Sequence, residues 1–101
     1  MTKERQKECY DVILYGGDYD CPLTAKNLAY RLKTTERGVR DIVSELRING
    51  YPVCSDSKGY WAAASPKDMV DTVRRIKSHA LKELKAISRM LRACREAGLD
   101  V

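Results

Sequence analysis

Apolar residues recur along this 101-residue chain at helical spacing in three short stretches and one long one, and strand-like runs appear only between residues 51 and 64. Residues 2–15 predict a first helix: Glu, Arg, Lys and Gln fill its opening turns, and Cys9, Val12 and Ile13 form an apolar stripe at the spacing of one helix face. Gly16 and Gly17 end it, and residues 18–22 read as a loop, after which Leu23 is placed to form one short edge pairing with a later strand. Thr24 is a good N-cap for a second helix, with Leu28, Ala29 and Leu32 as its buried positions. Thr34 or Thr35 caps a third, in which Val39, Ile42, Val43 and Leu46 recur at i, i+3, i+4 and i+7. Ala29 is small where one helix must cross the next closely, and Gly50 stops the third helix.

Residues 51–55 and 60–64 predict two short strands around Asp56-Ser57-Lys58-Gly59, a hairpin turn with glycine at its end. Pro52 puts the first strand near an edge. Ser65-Pro66-Lys67-Asp68 then opens a helix, with a capping serine, proline at the first helical position and an acid three residues after the cap. That helix is expected to run to Ala97, with Gly98 closing it, a span of about 45 Å at the usual rise per residue. Val70, Val73, Ala80, Leu84, Ile87, Leu91 and Cys94 fall on alternating three- and four-residue steps, interrupted by Lys77 and widened by Ile76 and Met90. A core of about 60 residues cannot bury so long a stripe, so part of it is expected to meet a second copy of the chain. The expected organisation is a domain over residues 1–64 and a long C-terminal dimerisation helix over residues 65–101.

Charge refines this picture. The net charge of +5 and pI near 9.1 are compatible with nucleic acid, but the excess is uneven: residues 1–65 carry +1 and residues 66–101 carry +4. No apolar run has the length of a membrane span, and the polar start of the chain is unlike a signal peptide, so the expectation is a cytoplasmic protein with no membrane partner. Cys9, Cys21, Cys54 and Cys94 are far apart and lack a Cys-x-x-Cys pair, and His79 is the one histidine. That set argues against a zinc site and predicts reduced, mostly buried or half-buried thiols. No phosphate loop and no nucleophile–base constellation is visible, so no cofactor, metal or catalytic residue is expected, and the chain does not read as an enzyme.

The segment TTERGVRDIVSELRINGYPVCSDSKGYW carries a more specific signal. Thr35, Glu36-Arg37, Val39-Arg40, Leu46-Arg47, Gly50-Tyr51-Pro52-Val53 and Gly59-Tyr60-Trp61 resemble the pattern of winged helix-turn-helix domains of the DeoR and biotin-repressor type, above all the small versions encoded by phages and prophages. The resemblance spans about 40 residues. It implies a mainly α fold with a small β-wing: a winged helix-turn-helix followed by a long C-terminal helix. The chain departs from the pattern at Lys33, where the inter-helix turn favours a smaller residue, at Gly38, where threonine is usual, and at Asp41, often basic.

In that geometry the N-terminal part of the third helix reaches base edges. Its outer face carries Arg37, Arg40, Asp41 and Ser44, and arginine is the usual bidentate partner of guanine. Arg37 and Arg40 are the expected readers, with Thr35 and Ser44 beside them. Thr24, Lys26 and Thr34 stand at helix starts that can hold phosphate, and Ser57 and Lys58 at the wing tip can touch the backbone or minor groove. Trp61 and Tyr60 are expected in the core. Residues 36–47 are nevertheless neutral, with Arg37, Arg40 and Arg47 balanced by Glu36, Asp41 and Glu45, and an i,i+4 pair such as Arg37–Asp41 is expected on the flank. The leading expectation is sequence-specific binding of double-stranded DNA by a homodimer acting as a small transcriptional regulator or phage accessory factor. The alternative is a protein-interaction module on the same scaffold.

Overall fold

A computed structural model describes residues 1–101. The chain is mainly helical, with one small antiparallel sheet: α1 (Lys3–Gly16), α2 (Ala25–Leu32), α3 (Glu36–Ile48), β1 (Val53–Ser55), β2 (Tyr60–Ala62), a 3-10 turn (Pro66–Met69) and α4 (Val70–Glu96). It divides into two compact units, residues 1–70 and 71–101. The division falls six residues beyond the expected boundary at Ser65. Its local cause is that residues 66–69 are tied to β1, where the Cys54 thiol donates to the Asp68 carbonyl at 3.5 Å.

Each helix of the first unit starts on a threonine. The hydroxyls of Thr2, Thr24 and Thr35 accept the backbone N–H groups of Arg5, Asn27 and Gly38 at 3.0–3.1 Å, which satisfies a donor that a helix start leaves open. Thr35, and not Thr34, is therefore the cap of α3. Thr34 lies in the preceding turn and donates its N–H to the Ala29 carbonyl at 2.9 Å. Lys33 closes α2 in the left-handed region, with φ 56° and ψ 47°, at a cost of about 1–2 kcal/mol for an L-residue. The turn between α2 and α3 thus depends on a backbone shape that lysine adopts reluctantly.

The core lies where the three helices meet the hairpin. Cys9 and Ile13 of α1, Leu28, Ala29 and Leu32 of α2, and Val39, Val43 and Leu46 of α3 are buried with Leu23 and Val53. Burial of each large aliphatic side chain stabilises the fold by about 1.5–3 kcal/mol. Val12 and Ile42 sit at the margins of their stripes and are half-buried against this core. Trp61 is buried in β2 and its ring meets Tyr19 edge-on with centroids 5.5 Å apart. Tyr60 packs on the core as a half-buried side chain.

Both strands are shorter than the alternation predicts. Tyr51 donates its N–H back to the Leu46 carbonyl at 3.0 Å, closing the end of α3, and Pro52 has no N–H to give a ladder. On the other side the Ala64 N–H turns to the Asp68 carboxylate at 3.2 Å. What remains pairs Val53 with Ala62, Cys54 with Trp61 and Ser55 with Tyr60. Leu23 adds the expected short third edge, exchanging two hydrogen bonds of 2.8 and 2.9 Å with Tyr60.

The Asp68 carboxylate also accepts from the Ser65 N–H at 3.2 Å, so residues 66–69 form a tight 3-10 turn where a continuous α-helix was expected. The α4 helix ends in a glycine-closed turn: Leu99 N–H reaches the Cys94 carbonyl at 2.9 Å, Gly98 N–H reaches that of Arg95 at 3.0 Å, and Gly98 has φ 77°. This is the usual left-handed helix stop. Cys9 and Cys54 are buried and Cys94 is half-buried, whereas Cys21 is exposed. No helix is long and apolar enough to cross a membrane.

Candidate nucleic-acid interface

The polar side of α3 follows directly from the apolar side. With Val39, Val43 and Leu46 turned into the core, helical geometry turns Arg37, Arg40, Asp41 and Ser44 outward, and all four are exposed. Neither the Arg37 nor the Arg40 side chain forms an ion pair or hydrogen bond within the chain, and the expected Arg37–Asp41 pair is not made. Both guanidinium groups are thus free to engage an outside acceptor. The acids are distributed around them. Asp41 stands on the same face, while Glu45 is drawn to the other flank, where it pairs with the amino-terminal ammonium at 3.2 Å. Ile48, 82% exposed, continues the outer face one turn beyond Ser44.

The helix starts supply a second kind of acceptor site. At Thr24 the hydroxyl takes the Asn27 N–H and the carbonyl takes that of Leu28, which leaves the N–H groups of Ala25 and Lys26 without an intrahelical partner. At Thr35 the hydroxyl takes the Gly38 N–H and the carbonyl that of Val39, leaving those of Glu36 and Arg37. Open N–H groups at a helix start, with the positive end of the helix dipole, favour a phosphate oxygen. Lys26 is exposed in the first turn of α2, and Thr34 is half-buried against Gly38.

The hairpin turn is built by Asp56. Its carboxylate accepts the N–H groups of Lys58 at 2.8 Å and Gly59 at 3.2 Å, and its own N–H donates to the Gly59 carbonyl at 3.0 Å. Ser57 and Lys58 are held outward at the tip, exposed. Gly59 lies flat against the chain entering α2: a Cβ there would overlap the Leu23 carbonyl oxygen and stand 3.0 Å from the Thr24 nitrogen. The structure therefore brings the hairpin turn beside the start of α2, so Thr24 neighbours the turn that carries Ser57 and Lys58. Thr34, Thr35 and Arg37 form a separate group at the start of α3.

Two residues outside the expected set organise these groups. Arg47 donates from Nε to the Val53 carbonyl at 2.8 Å and from Nη2 to Ser55 Oγ at 2.9 Å, strapping the end of α3 to β1. Its place on the border of the apolar stripe, a few residues before a strand, is the signal that separates it from Arg37 and Arg40. Asp56 is the other, and an aspartate at the head of a turn is a recognised local acceptor. On α2, Tyr30 is 86% exposed, and Arg31 is held by the Asn27 side-chain oxygen at 2.7 Å. Buried among these elements, the Cys9 thiol is raised above its ordinary 9.0, chiefly by desolvation. No protein-family model, curated protein or solved structure matches the chain.

Proposed function

We propose that the chain is a winged helix-turn-helix protein that binds double-stranded DNA sequence-specifically as a homodimer, in the role of a small transcriptional regulator or a phage DNA-binding accessory factor. The observation that carries this reading is the pair of exposed, unengaged guanidinium groups of Arg37 and Arg40 on a helix whose opposite side is locked into the core. In this reading α3 enters the major groove, and Arg37 and Arg40 meet base edges with Thr35 and Ser44 beside them. Thr24, Lys26 and Thr34 hold backbone phosphates at the helix starts, and Ser57 and Lys58 form the wing contact. The C-terminal helix joins two copies through Val70, Val73, Ala80, Leu84, Ile87, Leu91 and Cys94. A cytoplasmic location in a bacterial cell or infected host fits such a role.

Selection of bound fragments from a random duplex pool tests the proposal, with Arg37→Ala/Arg40→Ala alongside. The parent is expected to enrich a symmetric motif, and the double variant to lose about 1–3 kcal/mol of discrimination per lost base contact while keeping its non-specific binding. Equal loss on all sequences removes the base-reading role. A second reading, a protein-docking scaffold, is favoured by the zero net charge of residues 36–47 and by the exposed Ile48 and Tyr30. Affinity measured at two salt concentrations separates the readings, because neutralisation of several phosphates makes DNA binding fall steeply with salt.

A further inference from the structure

The apolar side of α4, placed above in the seam between two copies, is open to solvent in the single chain. Val73, Leu81, Leu84, Ile87 and Met90 are each 49–67% exposed, and a run of exposed large apolar side chains marks an interaction surface. We infer that two copies of this chain cover the stripe by pairing their α4 helices antiparallel, about a two-fold axis beside Lys82, so that Ala80 faces the partner's Leu84. The inference rests on the homodimer proposed above and adds its direction and register.

Residue sizes and charges along the stripe decide between the two directions. In a parallel, in-register pair every seam position meets itself. Lys77 would then face the partner's Lys77, bringing two like charges into the seam, and Ala80 would face the partner's Ala80, leaving a gap between small side chains. The antiparallel pair resolves both conflicts. Val70 meets the partner's Cys94, Val73 the partner's Leu91, Lys77 the partner's Ile87 and Ala80 the partner's Leu84. The Lys77 stem lies along an aliphatic side chain while its ammonium reaches water, and the smallest seam residue faces a large one. The side chains that widen the stripe also find partners: Ile76 beside the partner's Met90, and Leu81 beside the partner's Leu81. The one like-charge contact, Glu83 with the partner's Glu83, falls at the solvent-facing rim, where screening makes it weak. Opposed helix dipoles favour the same direction. Twenty-four residues of helix separate Val70 from Cys94, so the two Val70 positions, where each chain leaves its first unit, lie about 36 Å apart.

Thiol cross-linking of the full chain tests direction and register together. Cys21→Ser removes the exposed thiol, and Cys9 and Cys54 are buried, so Cys94 is the reporter. Diamide oxidation of Cys21→Ser alone is expected to give no covalent dimer. Adding Val70→Cys is expected to give one in which the introduced thiol is bonded to the partner's Cys94, identified by mass spectrometry of the linked peptides. Should Val70→Cys fold poorly, Cys21→Ser/Cys94→Ser with Val73→Cys and Leu91→Cys reports the same register. A bond from Cys94 to the partner's Cys94 in the Cys21→Ser protein means a parallel pair and overturns the inference while leaving the dimer standing. A sedimentation dimer with no α4 link in any variant overturns the seam. A monomer in sedimentation at all concentrations overturns the dimer itself.

Discussion

At Gly59 the space of a missing side chain is filled by the backbone of Leu23, which pairs with Tyr60 across the same point. A methyl group there meets main-chain atoms that cannot rotate away. Gly59→Ala is therefore expected to lower unfolding free energy by about 2–3 kcal/mol, read from urea unfolding, and to loosen the Lys58 turn. Gly38 has another origin. A Cβ there would press on the Thr34 side chain, 3.1 Å from its Cβ, so glycine at this position makes room for a bulky neighbour in the turn. Burial raises Cys9 above its ordinary 9.0. The folded state therefore holds the thiol proton more tightly than the unfolded chain does. The stability this contributes is complete below pH 9 and is lost as pH rises through the higher folded value. Thermal melts above pH 9 are expected to show a smaller alkaline loss in Cys9→Ala than in the parent, and equal slopes would remove Cys9 as a cause. None of these couplings is visible in sequence, because each depends on which segment lies against the residue.

Among the elements, α3 shows how one helix divides its arginines by position. Arg37 and Arg40 project from the exposed side, whereas Arg47 reaches the Val53 carbonyl and Ser55 Oγ. Hydrogen bonds from a charged donor at a partly buried site contribute more than neutral ones. Arg47→Met is therefore expected to cost about 1–2 kcal/mol, and Arg37→Met to stay within about 0.5 kcal/mol. Chemical denaturation of the two variants side by side reads the difference, and equal costs would remove the strap. The helix limits were legible where a threonine cap or a glycine stop marks them locally, as at Thr24, Gly50 and Gly98. The strands were legible in kind and not in length. Tyr51 and Ala64 left the expected ladder because their N–H groups had better acceptors in Leu46 and Asp68, residues four or five positions along the chain whose availability the alternation does not encode.

For the whole molecule, the proposed dimer ties DNA affinity to the apolar stripe of α4. Leu84 is 59% exposed in the single chain, so Leu84→Glu removes little from the stability of one copy and places a charge in the seam between two. Sedimentation is expected to show monomer where the parent is dimer. Affinity for a two-half-site DNA should fall about 100-fold or more, the advantage a linked second contact provides, while affinity for a single half-site stays the same. An unchanged two-site affinity would detach dimerisation from DNA binding. The sequence by itself determined the element order, the Thr24 cap, the three short apolar stripes and the long fourth one, because these depend on residue spacing and on bonds within a few positions. Only the tertiary structure decided that Thr34 is a turn residue and Thr35 the cap, that Arg47 is a strap while Arg37 and Arg40 stay free, and that Gly59 brings the hairpin turn against the start of α2. Each of those outcomes depends on which atoms far apart in the chain, or in competition for the same acceptor, come within bonding distance once the core closes.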